Sequence, residues 1–210
     1  LTPRHETEWN DRQGEVLDAA LDLLVSTGKA PTMTDVARQA SCSKETLYKW
    51  FGDRDGLLAA MVQRQASKVR GVSLQQAELD RKSLSLSLEV FARDWLAVIH
   101  GDNSVALNRL AVGQAGSGKH GLGEIMLENG PSAVRRRVSA LLEKGQRLDL
   151  LQFESLDAAF GTLFGLVVRD TQIRLLLGEQ LKPNAQDIEA DAKAAVRQFL
   201  TLFGTTEVRL

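Results

Sequence analysis

The stretch from Thr32 to Leu58, TMTDVARQASCSKETLYKWFGDRDGLL, constrains the fold of this chain more than any other. Thr32 stands three residues before Asp35, a spacing at which the two side chains can close the N-terminus of a helix. Val36, Ala37 and Ala40 then supply one apolar face over about two turns. Ser41-Cys42-Ser43 interrupts that face, and Ser43 is placed to cap a second helix starting at Lys44, with Leu47 and Phe51 on its apolar side. Gly52-Asp53 ends this helix, and Asp53 can cap the next. Two short helices joined by a tight turn form a helix-turn-helix, whose second helix can enter a DNA major groove.

The flanking sequence reads as helical throughout. Leu17, Ala20, Leu21 and Leu24 recur at helical spacing and predict a bracing helix from about Asp11 to Ser26, stopped by Gly28. Residues 1–11 read as an arm, with Arg4 available to DNA. Leu57, Leu58, Met61, Val62, Ala66, Val69 and Val72 predict one long helix from Gly56 to about Leu79, with Gly71 as a point of bending or ending. Further helices are expected from Lys82 to Gly101, from Asn103 to Ala115, from Leu122 to Asn129, from Pro131 onward, from Glu154 to about Leu177, and from Asn184 to Phe203. The expected fold is all-α: an N-terminal three-helix head over residues 1–56, and a larger helical body over 57–210.

Composition bounds what such a chain can do. A formal net charge of −1 argues against a general polyanion binder or a membrane-surface protein. Locally, residues 33–54 carry four basic side chains (Arg38, Lys44, Lys49, Arg54) against three acidic ones (Asp35, Glu45, Asp53). That placement lets a head engage phosphates even though the chain is not basic overall. No run of apolar residues is long enough for a membrane span, and the polar opening LTPRHETEWN lacks a basic-then-apolar leader. With the single Cys42, which excludes an internal disulfide, these features lead to the expectation of a cytoplasmic protein. No metal-ligand cluster is visible, and no cofactor is expected. There is no nucleophile elbow, H-E-x-x-H site or P-loop, so an enzyme is not expected. The GSGKHG run at 116–121 reads as an interhelical link, and Arg135-Arg136-Arg137 as a solvated face.

Residue chemistry assigns roles within the motif. Lys44 can donate to guanine, Glu45 can accept from cytosine, and Thr46 can meet either base type. Thr34 lies in the first turn of its helix, where a hydroxyl and free N–H groups can meet a phosphate. Arg54 opens the helix after Asp53 against the helix dipole, which a nearby phosphate would explain. Trp50 is expected as a partly exposed neighbour of the DNA backbone, and Phe51 as core.

The same residues resemble the DNA-binding head of TetR-type bacterial transcriptional regulators. The resemblance runs over residues 12–60, through Arg12-Gln13, Leu17, Ala19-Ala20 and Leu23-Leu24, then T-x-x-D-V-A-x-x-A from Thr32, S-K-x-T-L-Y-x-W-F from Ser43 and D-R-D-x-L-L from Asp53. Two positions depart from the family pattern: Ser41 stands where Gly is usual, and Trp50 where His is common. The resemblance implies that Tyr48 and Lys49 lie against the DNA backbone and fix register. It implies a homodimeric repressor released from an inverted-repeat operator by a small apolar or amphipathic effector. Plausible effector-lining residues are Phe91, Trp95, His100, Leu107, Phe160 and Phe164, with Asn108, Arg109, His120 and Arg169 as polar anchors. The two apolar helices near the C-terminus would pair with those of a second subunit through Leu156, Phe160, Leu163, Val167, Ile188, Ala192, Ala195, Val196, Phe199 and Phe203. The competing expectation is a helical, dimeric protein-interaction module whose helix-turn-helix is structural.

Overall fold

The computed structural model describes residues 9–70, 79–115 and 121–205, and over these the chain is all-α. The helices are α1 (Asp11–Thr27), α2 (Met33–Gln39), α3 (Lys44–Phe51), α4 (Arg54–Ala66), α5 (Arg81–His100), α6 (Asp102–Gln114), α7 (Leu122–Asn129), α8 (Pro131–Arg147), α9 (Leu156–Val168), α10 (Thr171–Leu176) and α11 (Ala185–Phe203). They form two compact units, one from residues 1–67 and 102–131, the other from 68–101 and 132–210. The first unit thus takes in α6 and α7 as well as the helix-turn-helix.

Caps set the helix boundaries. Asn10 and Gln13 close a capping box on α1, Thr32 accepts from the Asp35 N–H, Ser43 from that of Thr46, and Asp53 from that of Gly56. Asn184 caps α11 in the same way, with Asp187 returning the bond. Each cap satisfies backbone donors that the helix start would leave unpaired.

In the first unit, Val16, Leu17, Ala20, Leu21 and Leu24 of α1 form the centre of the core, packed with Val36, Leu47, Phe51, Leu57, Leu58 and Met61. The α3–α4 junction is close-packed: a Cβ added at Gly56 would lie 1.9 Å from the Phe51 carbonyl oxygen. Arg64 on α4 donates through Nε and Nη2 to the two carboxylate oxygens of Asp18 on α1, at 3.2 and 2.8 Å. In the second unit, α11 lies along α5 and α9, and the core joins Leu84, Leu88 and Phe91 to Val138, Leu141, Leu163, Val196 and Phe199.

Two expected helices differ. The long helix from Gly56 to Leu79 ends instead at Ala66, capped by Ser67, and Val69 is buried in the core of the second unit rather than continuing the apolar stripe of α4. Gly71 and Val72 lie outside the described residues. The helix expected from Glu154 to Leu177 is divided at Arg169, whose φ of 48° and ψ of −133° end α9 before α10 starts. No Gly or Pro marks that break in the sequence. Arg135 is paired with Asp157, and Arg136 and Arg137 are also engaged, so the basic run of α8 is not a free cationic face.

Candidate nucleic-acid interface

The α3 helix has two unlike sides. Leu47 is fully buried and Phe51 nearly so, whereas Lys44, Glu45, Tyr48 and Lys49 are exposed. Tyr48, the only tyrosine, is 54% exposed. Thr46 is half-buried, and its hydroxyl lies 3.1 Å from that of Ser43, so the cap already holds it. Trp50 is half-buried, its ring in an edge-to-face arrangement with Phe51 at a centroid distance of 6.1 Å.

Around α3, Thr34 is exposed in the first turn of α2, and Arg54 is exposed at the first position of α4. Arg38, also exposed, pairs with Asp35 at 3.0 Å. The Asp35 carboxyl sits below the usual carboxylate range, chiefly because the Thr32 hydroxyl donates to it. The Glu45 carboxyl is lowered too, first by its own backbone N–H and then by the Ser43 hydroxyl. Both remain anionic near neutral pH, so Glu45 is a hydrogen-bond acceptor on the exposed side of α3.

The turn between α2 and α3 is left-handed at Ser41, with φ 49°. A residue with a Cβ costs about 1–2 kcal/mol in that region. Support comes from α1: Arg12 Nη2 donates to the Ala40 carbonyl and, at 3.5 Å, to that of Ser41, while Nη1 pairs with Glu15 at 2.7 Å. Trp9, just before the Asn10 cap, packs its ring on Phe51 with centroids 5.7 Å apart. The sequence gives α1 a bracing role and Arg12 a place in the family pattern, but assigns no partner to Arg12 and no role to Trp9. Their partners are remote in sequence, so no helical or capping spacing reveals them.

The residues expected to line an effector site fall in both units. In the second, Trp95 meets Phe91, Phe160 and Phe164 with centroids 5.5 to 6.0 Å apart, the Phe160 ring stacked on it at 13°. His100 Nδ1 is 2.9 Å from the Leu96 carbonyl oxygen, and Arg169 pairs with Asp191 at 3.2 Å. In the first unit, Leu107 is buried, Asn108 donates to the Ser104 carbonyl, and Arg109 is exposed and engaged. His120 lies outside the described residues.

Of the residues expected at a subunit interface, Leu163, Val167, Ala192, Ala195, Val196 and Phe199 are buried inside the protomer. They pack the core of the second unit and have almost no surface left to offer a partner. Leu156, Phe160, Ile188 and Phe203 remain partly exposed. The open side of α9 also carries Ala158, Gly161 and Gly165, where added Cβ atoms on the glycines would meet nothing within 4 Å.

Among the described residues no helix is long and apolar enough to cross a membrane, and no group of His, Cys, Asp or Glu could hold a metal ion.

Residues 16–61 match the family model for bacterial regulatory proteins of the tetR family, and residues 87–205 that for the C-terminal domain of AefR-like transcriptional repressors. The crystal structure of a TetR transcriptional regulator from Agrobacterium tumefaciens is 47% identical, covers 95% of this chain and 98% of its own, and superposes with a TM-score of 0.81. The flavonoid-responsive regulator FrrA is 26% identical over 95% of this chain and 98% of its own, with a TM-score of 0.66. An HTH-type transcriptional regulator of Bacillus subtilis, YvkB, is 38% identical over 66 residues, 31% of this chain. The chain spans about a third or less of the length of the curated relatives it matches, 34% of YvkB and 26% of the Mycobacterium tuberculosis regulator AlkX. With a helix-turn-helix head, a helical body and family matches over both, the chain belongs to the TetR family of bacterial transcriptional regulators.

Proposed function

We propose that the protein is a homodimeric repressor that holds an inverted-repeat operator through two copies of α3 and leaves it when a small apolar or amphipathic effector binds. The observation that carries this reading is the two-sided character of α3: Leu47 and Phe51 fix it to the head, and Lys44, Glu45, Tyr48 and Lys49 face solvent. Lys44, Glu45 and Thr46 at its N-terminal end read base edges, while Thr34, Tyr48, Lys49, Trp50 and Arg54 meet the backbone. In this reading residues 1–56 bind DNA, and 57–210 sense the effector and form the dimer. The match of residues 87–205 to a repressor C-terminal domain favours repression over activation.

Dimerisation uses the outward surfaces of α9 and α11, with Leu156, Phe160, Ile188 and Phe203 at its margins and the small residues Ala158, Gly161 and Gly165 allowing close approach. The aromatic group around Trp95 supports an effector with an apolar, flat portion, and the flavonoid response of the regulator FrrA is consistent with that class. Effector binding need only favour a head separation that mismatches the operator, and about 1.4 kcal/mol of preference lowers affinity tenfold.

The test is a gel shift with the DNA upstream of the protein's own gene, with and without candidate aromatic effectors. Retardation that an effector reverses supports the reading. A protein that binds no upstream fragment and enriches none from a randomised duplex library contradicts it.

A further inference from the structure

We infer that Arg12, together with Trp9, is a positioning residue for operator binding: the start of α1 holds the turn that leads into the recognition helix and the last residue of that helix, without touching DNA. At the N-terminal end, the Arg12 guanidinium donates to the last carbonyls of α2 and the turn, at Ala40 and Ser41. A cation there also faces the negative end of the α2 dipole. At the other end, the Trp9 ring packs on Phe51, the last residue of α3. Asn10 lies between the two and is locked by its reciprocal bonds with Gln13, so both side chains leave one fixed turn.

Ser41 gives this grip its purpose: the Cys42 N–H bond to the Ala37 carbonyl at 2.9 Å closes the turn, and Arg12 adds to that closure from outside. The Ser41 φ of 49° is a conformation that a serine leaves readily unless its surroundings hold it there. Relaxation at Ser41 would swing α3, because only Cys42 and Ser43 separate them. Arg12 opposes that relaxation by binding the carbonyls of the two peptides that flank the Ser41 Cα. Glu15 holds the other guanidinium nitrogen at 2.7 Å and fixes its direction. This inference rests on α3 being the element that meets DNA.

The experiment is fluorescence anisotropy of the full-length protein on a labelled duplex selected by the wild-type protein from a randomised library, over a series of salt concentrations. Arg12→Ala is expected to weaken binding about fivefold, within the range by which residues remote from a ligand tune it. The slope of log affinity against log salt is expected to stay as in the wild type, because no phosphate contact is lost; losing one would reduce it by about 0.9 per protomer. Ser41→Gly in the same chain is expected to restore affinity to within about twofold, since glycine adopts that φ without cost. Trp9→Ala is expected to weaken binding with the slope again unchanged, and Trp9→Phe to recover it. Should Arg12→Ala melt below the assay temperature, Arg12→Lys, which keeps the charge but not the two-carbonyl grip, takes its place with the same expectations in smaller measure. Wild-type affinity for Arg12→Ala, a slope lowered by about 0.9, or a loss that Ser41→Gly leaves untouched in a folded protein would each overturn the proposal. Failure of the wild type to enrich any duplex would instead overturn the DNA-binding reading beneath it.

Discussion

At the scale of single residues, the exposed side of α3 carries distinct expectations for neighbouring positions. Lys49→Ala should weaken operator binding on all sequences alike and lower the salt slope by about 0.9 per protomer. Tyr48→Phe removes only a hydroxyl from an exposed side chain, so thermal stability should hold while affinity falls about fivefold, the worth of one hydrogen bond of about 1 kcal/mol. Anisotropy and thermal melts on the same samples separate the two effects. A third expectation concerns pH. Asp94 is 10% exposed and takes Arg70 at 2.8 Å. Burial opposes its charge, but the Arg70 hydrogen bond and charge, with help from Arg93, hold its carboxyl below the ordinary value. Its folded pKa is therefore depressed, so its stabilisation is present above the unfolded carboxylate pKa and disappears as pH falls through the lower folded one. Asp94→Asn should cost about 1 kcal/mol at pH 7 and nothing once both carboxyl states are protonated, measured as melts across an acid pH series.

At the scale of elements, the capping rules carried most of what could be read in advance. Thr32, Ser43, Asp53 and Asn184 each bond a backbone N–H two or three residues ahead, and such partners are visible in a linear sequence. The end of α4 at Ala66 was not visible, because Val69 fits the helical stripe by spacing and its burial in a different core is a tertiary fact. The break at Arg169 was hidden for a related reason: an arginine in a left-handed conformation is held by its surroundings, not by its own preference. The exposed candidates on α3 were legible because Leu47 and Phe51 fix which side is buried. The Arg12 grip was not, since it joins residues with no local relation. The α3–α4 junction gives an element-scale prediction. Gly56→Ala would drive a Cβ against the Phe51 carbonyl, a backbone atom that cannot step aside. It should lower stability by about 2 kcal/mol or more and weaken operator binding beyond that loss, as melts and anisotropy together would record.

At the scale of the whole molecule, the proposed dimer would join two heads whose recognition helices meet half-sites about one turn of DNA apart or a multiple of it. The proposed interface can be tested without disturbing the protomer. Gly161 and Gly165 have open space where a side chain would start, so Gly161→Arg and Gly165→Arg should leave helicity intact yet yield monomers in sedimentation velocity. The most direct test of the central claim is stoichiometric titration of the selected inverted-repeat duplex with wild-type protein and with a Lys44→Ala, Tyr48→Ala, Lys49→Ala triple variant. The account predicts an even number of protomers per wild-type complex and a loss of at least about a hundredfold in the folded triple variant. Equal binding by the variant, or one protomer per duplex for the wild type, would contradict it.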